Sequence, residues 1–400
     1  MKHLFYVRIR VLLFNKATWL ALLFLTKCSL DLIAQSITDT IFHIPDVVIS
    51  ASRIQHFRND VKTDLFSLDE LSPYAGESLG HFLISSTALN VKAYGVGGAL
   101  SSVSMRGTSA SQVQVNWNGF PINSVTLGSC DFSMIPATGF DRVSVVYGAP
   151  GALYGSGTFG GAINLDNNLK LGKILSGSVN VGYESLKTVD GNLSFNIGNN
   201  KVAWKANVWG AVSGNEFAYY DYIRQSDRIQ TDGKWHDAGT IQQIILRLSP
   251  TSTLEGGIWY QVKAYNIPSR IGSVSYESQR DSTLKFYSAY KKSGDRWGLQ
   301  IKAAIFNDEA RYTQKPSAQA TVYNIDSRIS SQQVCGDANF RYYLLKGLSL
   351  DAGITGLYIT ADVSAYAQKK EEEGLTFCNG VAEEAEYRSI PLLQVEAVVA

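Results

Sequence analysis

The sequence has little charge, and its charges balance. Asp, Glu, Lys and Arg make up 18% of its 400 residues, against about 25% in an average soluble domain. The 36 basic and 35 acidic residues leave a net charge of +1, which excludes the basic surface of a nucleic-acid-binding protein. Hydrophobic residues make up 45%, too large a share for a disordered chain.

Long hydrophobic runs are also missing. A polytopic helical membrane protein would show several apolar runs of about 20 residues, and the mean hydropathy here is only −0.05. What the chain does have is 35 Gly, 21 Tyr, 17 Phe and 7 Trp. This composition fits an outer-membrane β-barrel, because each strand of such a barrel is apolar only on alternate residues.

Cysteine and histidine are scarce as well. The four cysteines lie far apart without CxxC or CxxH spacing, which excludes a disulfide framework and a zinc site. None of the five histidines lies in a G-x-S-x-G or metal-ligand context, although a hydrolase needs a histidine base beside its nucleophile. We therefore expect no enzyme activity, no cofactor and no bound metal.

The N-terminus indicates secretion. Four basic residues between positions 2 and 16 precede an apolar run from Ala17 to Leu25, which is too short to span a bilayer but suits a signal peptide. We expect cleavage after Ala34, so that residues 1–34 are the signal; an uncleaved anchor is the alternative. Cys28 is not expected to be lipidated, because Lys27 stands where a lipoprotein signal needs a small residue.

From about Lys173 onward, apolar and polar residues alternate. In one segment Ile258 and Tyr260 share a face, while Trp259, Gln261 and Lys263 share the other. A period of two puts one face in lipid and the other in water. We expect about ten strands, at 173–183, 190–198, 201–213, 238–249, 252–264, 280–291, 296–307, 330–343, 347–361 and 387–400.

Short and long connections alternate between these strands. Tight turns are expected at 198–200, 249–251, 292–295 and 345–347, and long polar loops at 214–237, 265–279, 308–329 and 362–386. Short turns on one side and long loops on the other are typical of outer-membrane barrels, whose tight turns are periplasmic. The alternative, a soluble β-sandwich or propeller, would not sort loop lengths in this way.

The first half of the chain has a different composition and pattern. From Asp46 to about Asp166 it is dense in Gly, Ser and Val, with an amphipathic stretch from Leu65 to Leu83 that predicts helix. Short strands are expected at 103–106, 113–117 and 142–147. These features predict a small α+β domain.

This half resembles the plug domain of TonB-dependent outer-membrane receptors. The matching segments occur in the family's order: Ser50–Arg53, Glu77–Leu79, Val103–Gly107, Val113–Asn123, Ile135–Val143 and Gly148–Asn164. The chain is most similar in look to the cobalamin and siderophore receptors. Two positions depart from the family, Asn118 where Asp is usual and Tyr147 where Arg is common, and they indicate one lost ion pair.

The resemblance implies roles for several plug residues. We expect structural roles for Arg106, Gly107, Asn118, Gly119, Arg142, Gly155, Gly160 and Gly161. The glycines would allow tight turns and close backbone packing. Arg106 and Arg142 would face the lumen and pair with barrel carboxylates such as Glu255 or Asp351.

A short segment near the N-terminus is the expected coupling site. Asp46, Val47, Val48, Ile49, Ser50 and Ala51 follow Pro45 and are rich in β-branched residues. Such a segment can add as a strand to the sheet edge of a partner. In the family this is the TonB box, which binds the energy-coupling protein; the alternative is simply a first plug strand.

Ligand contacts are expected at plug apices and in barrel loops. The candidates are Tyr94, Val96, Asn123, Ser124, Thr126, Tyr220 and Trp235. Aromatic side chains in the loops could grip a ligand; alternatively, they belong to the interfacial girdle of the barrel.

The length of the chain conflicts with a closed barrel. Ten tilted strands would close at a radius of roughly 10 Å, but a plug of this size has a radius of gyration of roughly 13.5 Å. Twenty-two strands, at roughly 22 Å, would enclose it. We therefore expect a truncated chain, with about ten strands of a barrel of the 22-stranded type.

The sequence thus predicts a transmembrane β-barrel with an N-terminal α+β plug. The expected domains are the signal (1–34), an N-terminal extension with the TonB box (35–52), the plug (53–168) and the first part of the barrel (169–400). The expected function is TonB-coupled import of cobalamin or a ferric siderophore by a monomer in the outer membrane, in contact with lipid and without nucleic acid. The alternatives are a surface-binding protein or adhesin that does not transport, and a non-functional truncated receptor.

Overall fold

The computed structural model describes residues 62–94, 99–148, 157–269, 275–317, 320–321, 323–345, 348–367, 383–388 and 392–399. The predicted signal, the N-terminal extension, the segment Asp46–Ala51, Val96 and Gly155 lie outside these residues. Within the described part of the chain, no helix has the length and apolar character needed to cross a membrane.

The described residues up to Asp166 fold around a five-stranded mixed sheet. Its strand order is β1-β6-β7-β4-β5, and β4 and β7 form the parallel pair. A separate hairpin joins β2 and β3. The strands are β1 (Thr63–Ser67), β2 (Asn90–Ala93), β3 (Ser101–Ser104), β4 (Val113–Trp117), β5 (Phe120–Pro121), β6 (Arg142–Tyr147) and β7 (Gly161–Asp166).

Two helices cover this sheet, α1 (Leu68–Leu71) and α2 (Leu79–Ser86). Ser78 begins α2, because its side chain accepts a hydrogen bond from the His81 amide. Phe82 buries its ring against Phe66 at 5.0 Å between centroids. The predicted helical stretch was therefore partly wrong: Leu65 lies in β1, where it pairs with Ser144 of β6.

The second half forms one large antiparallel sheet. From β8 to β19 each strand pairs with the next along the chain, apart from a β11–β12 hairpin that stands between β10 and β13. The strands are β8 (Ile174–Glu184), β9 (Thr188–Gly198), β10 (Val202–Ser213), β11 (Phe217–Asp221), β12 (Ser226–Gln230), β13 (Trp235–Ser249), β14 (Ser252–Ile267), β15 (Tyr276–Ser293), β16 (Trp297–Lys315), β17 (Ile325–Leu345), β18 (Leu348–Ala367), β19 (Glu383–Arg388) and β20 (Leu392–Val399).

The sheet is an open barrel wall. In the described residues β8 pairs with β9 alone, and β19 and β20 both pair with β18 at the opposite edge. The predicted alternation is confirmed on β14: Ile258 and Tyr260 are 37% and 48% exposed, whereas Trp259, Gln261 and Lys263 are buried against the plug. The fold is that of a β-barrel with an internal plug, and the barrel is unclosed.

Several strands run further than the apolar pattern predicts. β16 continues to Lys315 and β17 begins at Ile325, so the expected loop at 308–329 is mostly strand. The polar residues there lose the apolar alternation but keep the backbone ladder. The apolar pattern ends before the strands do, and backbone pairing continues beyond it.

The apolar belt on the outer face shifts steadily along the strands. On β9 the exposed apolar residues extend as far as Val189, but on β17 they end near Val334. Val189 lies in the same cross-strand row as Arg328, which is six residues from Val334 along β17. The belt edge thus moves by about six residues over six strand pairings. With a rise of about 3.3 Å per residue and a spacing of about 4.8 Å, this gives a tilt of about 35°, as in outer-membrane barrels.

Candidate functional site

An aromatic cluster joins the plug to the barrel wall. Trp117, at the end of β4, is fully buried. Its ring lies 5.6 Å from that of Trp259 and 5.0 Å from that of Tyr287, both edge-on. The plug side of this interface comes from β4 and the wall side from the inward positions of β14 and β15.

Polar contacts from the wall flank that cluster. Lys205 of β10 forms an ion pair with Asp141 of the plug. Lys263 donates to the carbonyl oxygen of Ser133 at 3.0 Å and to its hydroxyl at 2.7 Å. Gln333 donates to the carbonyl oxygen of Pro121 at 2.8 Å. The wall thus satisfies plug backbone groups that would otherwise be buried without partners.

A cavity of about 400 Å³ lies between α2 and the wall. Its plug side includes Ala93 and Ala99. Its wall side includes Thr188, Ser213 and Trp235, which lie at the strand ends that carry the longer loops. In an outer-membrane barrel this end faces the cell exterior.

The lining of this cavity combines aromatic and polar groups. Trp209 and Trp235 supply indole rings. Ser101 Oγ and Asn215 Oδ1 are buried with no hydrogen-bond partner among the described residues. Buried polar atoms without partners are costly unless water or a ligand satisfies them, so the cavity offers binding capacity for a polar molecule.

The charges around the cavity are mostly negative. Glu77, Glu184 and Asp237 line it, against Lys263 and the imidazole of His81. His81 is in contact with Glu77 one helical turn away. The lining therefore disfavours a strongly anionic ligand.

The β11–β12 hairpin rises from the rim of the cavity. Asn215 begins it with a left-handed backbone (φ 46°), and the Asn215 amide donates to the Leu186 carbonyl at 2.9 Å. Lys187 and Glu216 form an ion pair beside it. Their mutual hydrogen bond raises the pKa of Lys187 and lowers the pKa of Glu216, which ties the base of the hairpin to the 185–187 turn.

The sequence-predicted ligand residues are not brought to one place. Trp235 lines the cavity. Tyr94 is 68% exposed and lies next to Ala93 on its rim. Tyr220 packs its ring against Tyr222 at 5.3 Å in the hairpin.

Asn123, Ser124 and Thr126 belong to a turn that is held by hydrogen bonds within the plug. The side-chain amide of Asn123 donates to the carbonyl oxygens of Val113 and Gly128, both at 2.9 Å, and accepts from the Val115 amide at 2.8 Å. Ser124 Oγ lies 3.3 Å from Thr126 Oγ1. The side chain of Asn123 is therefore engaged within the plug.

The expected barrel partners of the two plug arginines were wrong. Arg142 forms its ion pair within the plug, with Asp166 at 2.8 Å. Arg106 lies over the ring of Tyr147 at 5.9 Å. Both proposed wall carboxylates are paired within the wall, Glu255 with Lys291 and Asp351 with Arg341, because cross-strand neighbours are closer than the plug.

The two positions that depart from the family have separate partners. Asn118 adopts a left-handed backbone (φ 48°), and its side-chain oxygen accepts from the Asn167 amide at 2.9 Å. Tyr147 donates its hydroxyl proton to Asp64 at 2.7 Å. Burial and this hydrogen bond to the Asp64 carboxylate raise the pKa of Tyr147. Asn118 and Tyr147 therefore do not replace the two sides of one ion pair.

Close packing leaves no room for a side chain at Gly160 or Gly161. A Cβ at Gly161 (φ 150°) would collide with the Val146 carbonyl oxygen and the Met105 sulfur, and one at Gly160 with the Thr108 hydroxyl. Gly107 and Gly119 also have positive φ, 77° and 85°. A residue with a side chain at Gly161 would force β6 and β7 apart.

The lining residues that were not predicted as ligand contacts from the sequence include Ser101, Trp209, Asn215 and Asp237. Trp209 and Asp237 occupy inward positions of alternating strands, and that signal was present in the sequence. Ser101 and Asn215 lie at a strand start and in a loop, where no periodic signal marks them. No cluster of three or more metal-binding side chains occurs in the described part of the chain.

Comparisons with known proteins agree with this architecture. Residues 58–162 match the family model of the TonB-dependent receptor plug domain. The chain therefore resembles the TonB-dependent receptors. It resembles the vitamin B12 transporter BtuB of Photobacterium profundum, with 24% identity over 77% of this chain and 49% of that protein. A BtuB of Vibrio cholerae is 32% identical over 30% of this chain and 20% of its own length.

Solved structures of other proteins share the fold of this chain. The ferripyoverdine receptor of Pseudomonas aeruginosa superposes with a TM-score of 0.64 and 14% identity, over 83% of this chain and 48% of that one. The copper transporter OprC has a TM-score of 0.59 and 15% identity, over 77% and 48%. The chain spans about half the length of the first curated relative.

The resemblance to this family bears on two further predictions. TonB-dependent receptors are receptors and transporters rather than enzymes, which confirms the expectation that this chain is not an enzyme. They are β-barrels of the outer membrane, which confirms the predicted location.

Proposed function

We propose that this chain is part of a receptor that binds a scarce ligand at the cell surface and imports it with energy from a TonB-type partner. The observation that carries the proposal is the cavity between plug and wall. It lies at the loop-bearing strand ends, and two of its buried polar atoms, Ser101 Oγ and Asn215 Oδ1, have no partner among the described residues.

The plug topology suits such coupling. The predicted TonB-binding segment, Asp46–Ala51, precedes β1 in the chain, and β1 is an edge strand paired with β6. A pull on the segment therefore reaches the plug through an edge strand, which separates from one neighbour only. Import would follow once the plug moves away from the wall that it closes.

For the ligand we propose cobalamin in preference to a ferric siderophore. Vitamin B12 transporters are among the relatives that match this sequence. The cavity lining carries three carboxylates, which favour a ligand rich in amide donors over an anionic chelate. Trp209 and Trp235 would pack against its apolar faces.

A Val48→Pro variant tests the coupling role in the natural host. Proline removes a backbone donor that strand addition needs, so we expect uptake of radiolabelled cobalamin to be lost while surface binding persists. Thr40→Pro is the matched control, because it places proline outside the proposed segment. Normal uptake by the Val48→Pro variant would contradict the proposal.

The same assay separates the alternatives. A surface-binding protein or adhesin would bind cobalamin equally well with and without the coupling protein and import none in either case. A non-functional receptor would show neither binding nor uptake. A receptor for a ferric siderophore would support growth on that iron source and would not compete for cobalamin.

A further inference from the structure

A row of arginines crosses the outer face of the barrel wall. Arg280 on β15 pairs with Arg311 on β16, and Arg311 pairs with Arg328 on β17. Residues directly opposite each other in a sheet share a face. Each arginine is an even number of residues along its own strand from an exposed apolar residue of the belt: Leu284 on β15, Ile305 on β16 and Val334 on β17. No register shift occurs between these strands. The three guanidinium groups therefore point out of the barrel.

This arrangement is unfavourable unless something compensates it. Like charges directly opposite each other in a sheet repel. Asp326 compensates one of them, through hydrogen bonds of 2.9 and 2.8 Å to Arg311, and lies 3.8 Å from Arg328. Glu309 and Asp362 lie on the same face, one outward position nearer the belt, and form no ion pair with these arginines within the described residues. Arg280 is exposed, and it has no ion-pair partner there either.

The arginines of this row are confined to β15, β16 and β17, and the row continues through Ser364 of β18 to Glu384 of β19. In the same cross-strand row, β14 carries Ala264, β13 carries His236, β10 carries Val212 and β9 carries Val189. The tilt explains the change, because the row is still within the apolar belt at β9 and has risen above it at β15. The arginines therefore lie on the exterior side of the belt.

The height of the row matches the headgroup layer. Arg280 lies four residues beyond Leu284, which is about 13 Å along the strand and about 11 Å along the membrane normal at the observed tilt. An arginine side chain reaches about 6 Å and can bend back toward the interface. Arg280 and Arg328 are two strands apart, about 10 Å, so both guanidinium groups can reach one phosphate.

We propose that Arg280, Arg311 and Arg328 form a binding site for the phosphate groups of a phosphorylated glycolipid in the outer leaflet. Guanidinium groups bind phosphate oxygens in pairs of parallel hydrogen bonds. The lipid phosphate would supply a counter-charge for Arg280, whereas Arg311 and Arg328 already share Asp326. Its acyl chains would lie against the apolar belt below, around Leu284 and Ile305.

The test uses the full receptor extracted from outer membranes. The glycolipid phosphorus that remains bound per receptor is measured for the wild type, for Arg280→Gln/Arg328→Gln and for Lys292→Gln. Lys292 is the control, because it is exposed on the same outer face at the opposite end of β15. Each basic residue near an anionic lipid surface is worth about fivefold in binding, so the double variant should lose most of the lipid and Lys292→Gln should lose none.

Two further measurements keep the proposal open to refutation. Arg280→Lys/Arg328→Lys should retain most of the lipid, because it keeps both charges. Vesicles with dephosphorylated glycolipid should bind the wild type and the double Gln variant equally. Equal retention by wild type and double Gln variant would overturn the proposal. Release of the lipid by millimolar inorganic phosphate would also overturn it, since that result indicates a site for free phosphate.

Discussion

The interior of the plug and the inner face of the barrel wall are both buried, but by different means. Val115, Ile163 and Leu165 lie in a dry apolar core, and the buried Asn116 and Asn164 bond to each other at 3.0 Å. The wall instead buries lysines and glutamines that reach across to plug groups. Apolar burial therefore stabilises the plug on its own, whereas pairwise polar contacts and one aromatic cluster keep it in place.

Removing a large side chain from the plug core should have the largest effect. Phe82→Ala leaves a cavity beside Phe66 and Tyr74 and should lower the free energy of plug unfolding by about 3–5 kcal/mol. Amide hydrogen exchange of β4 and β7 in the purified receptor measures it. Ile84→Ala, on the exposed side of the same helix, is the control and should change little.

Breaking the plug–wall ion pair should have an intermediate effect. Asp141→Asn leaves the buried Lys205 without its carboxylate and should cost about 2–3 kcal/mol in plug retention. Adding Lys205→Met removes the unpaired charge and should restore most of that loss. The release of the plug in denaturant measures both variants; no recovery in the double variant would show that the ion pair is not the cause.

A change in the cavity should affect binding and not folding. Ser101→Ala removes a hydroxyl that has no partner among the described residues, so the stability of the plug should not fall. If a ligand uses that hydroxyl, the affinity for cobalamin should drop about fivefold, or about 1 kcal/mol. Unchanged affinity would place the ligand elsewhere.

The smallest effect is expected at the start of α1. The Ser67 amide and hydroxyl both donate to Glu70, at 2.8 and 2.9 Å, and these hydrogen bonds lower the pKa of Glu70 below 4.5. Their contribution to stability is therefore complete above pH 4.5 and is lost as the pH falls through the lowered pKa. Ser67→Ala removes the hydroxyl donor and keeps the amide donor, so it should weaken this pH dependence in the exchange of β1 amides.

The features that could be predicted from the sequence are those with a local signal. Alternation identified the inward residues of β14 because one face of that strand is exposed and apolar while the other is buried against the plug. The partners of Arg142 and Glu255 were predicted wrongly, because an ion pair depends on which strands become neighbours. Strand ends such as Lys315 extend beyond the prediction, since backbone pairing leaves no mark in side-chain polarity.

The cavity could not be predicted for a related reason. Its lining comes from α2, from the ends of β2 and β3, and from five wall strands. Ser101 and Asn215 carry no periodic signal, and their importance appears only when their buried atoms are found without partners. The function of these residues depends on tertiary placement rather than on motif.

The most direct test compares Phe82→Ala with Asp141→Asn by hydrogen exchange in the same receptor preparation. We predict that Phe82→Ala speeds exchange at the amides of Val115 and Ile163 about 100-fold or more. We also predict that Asp141→Asn leaves those amides protected while the plug is released at lower denaturant. Equal loss of protection at Val115 and Ile163 in both variants would contradict a plug core that is stable independently of the wall.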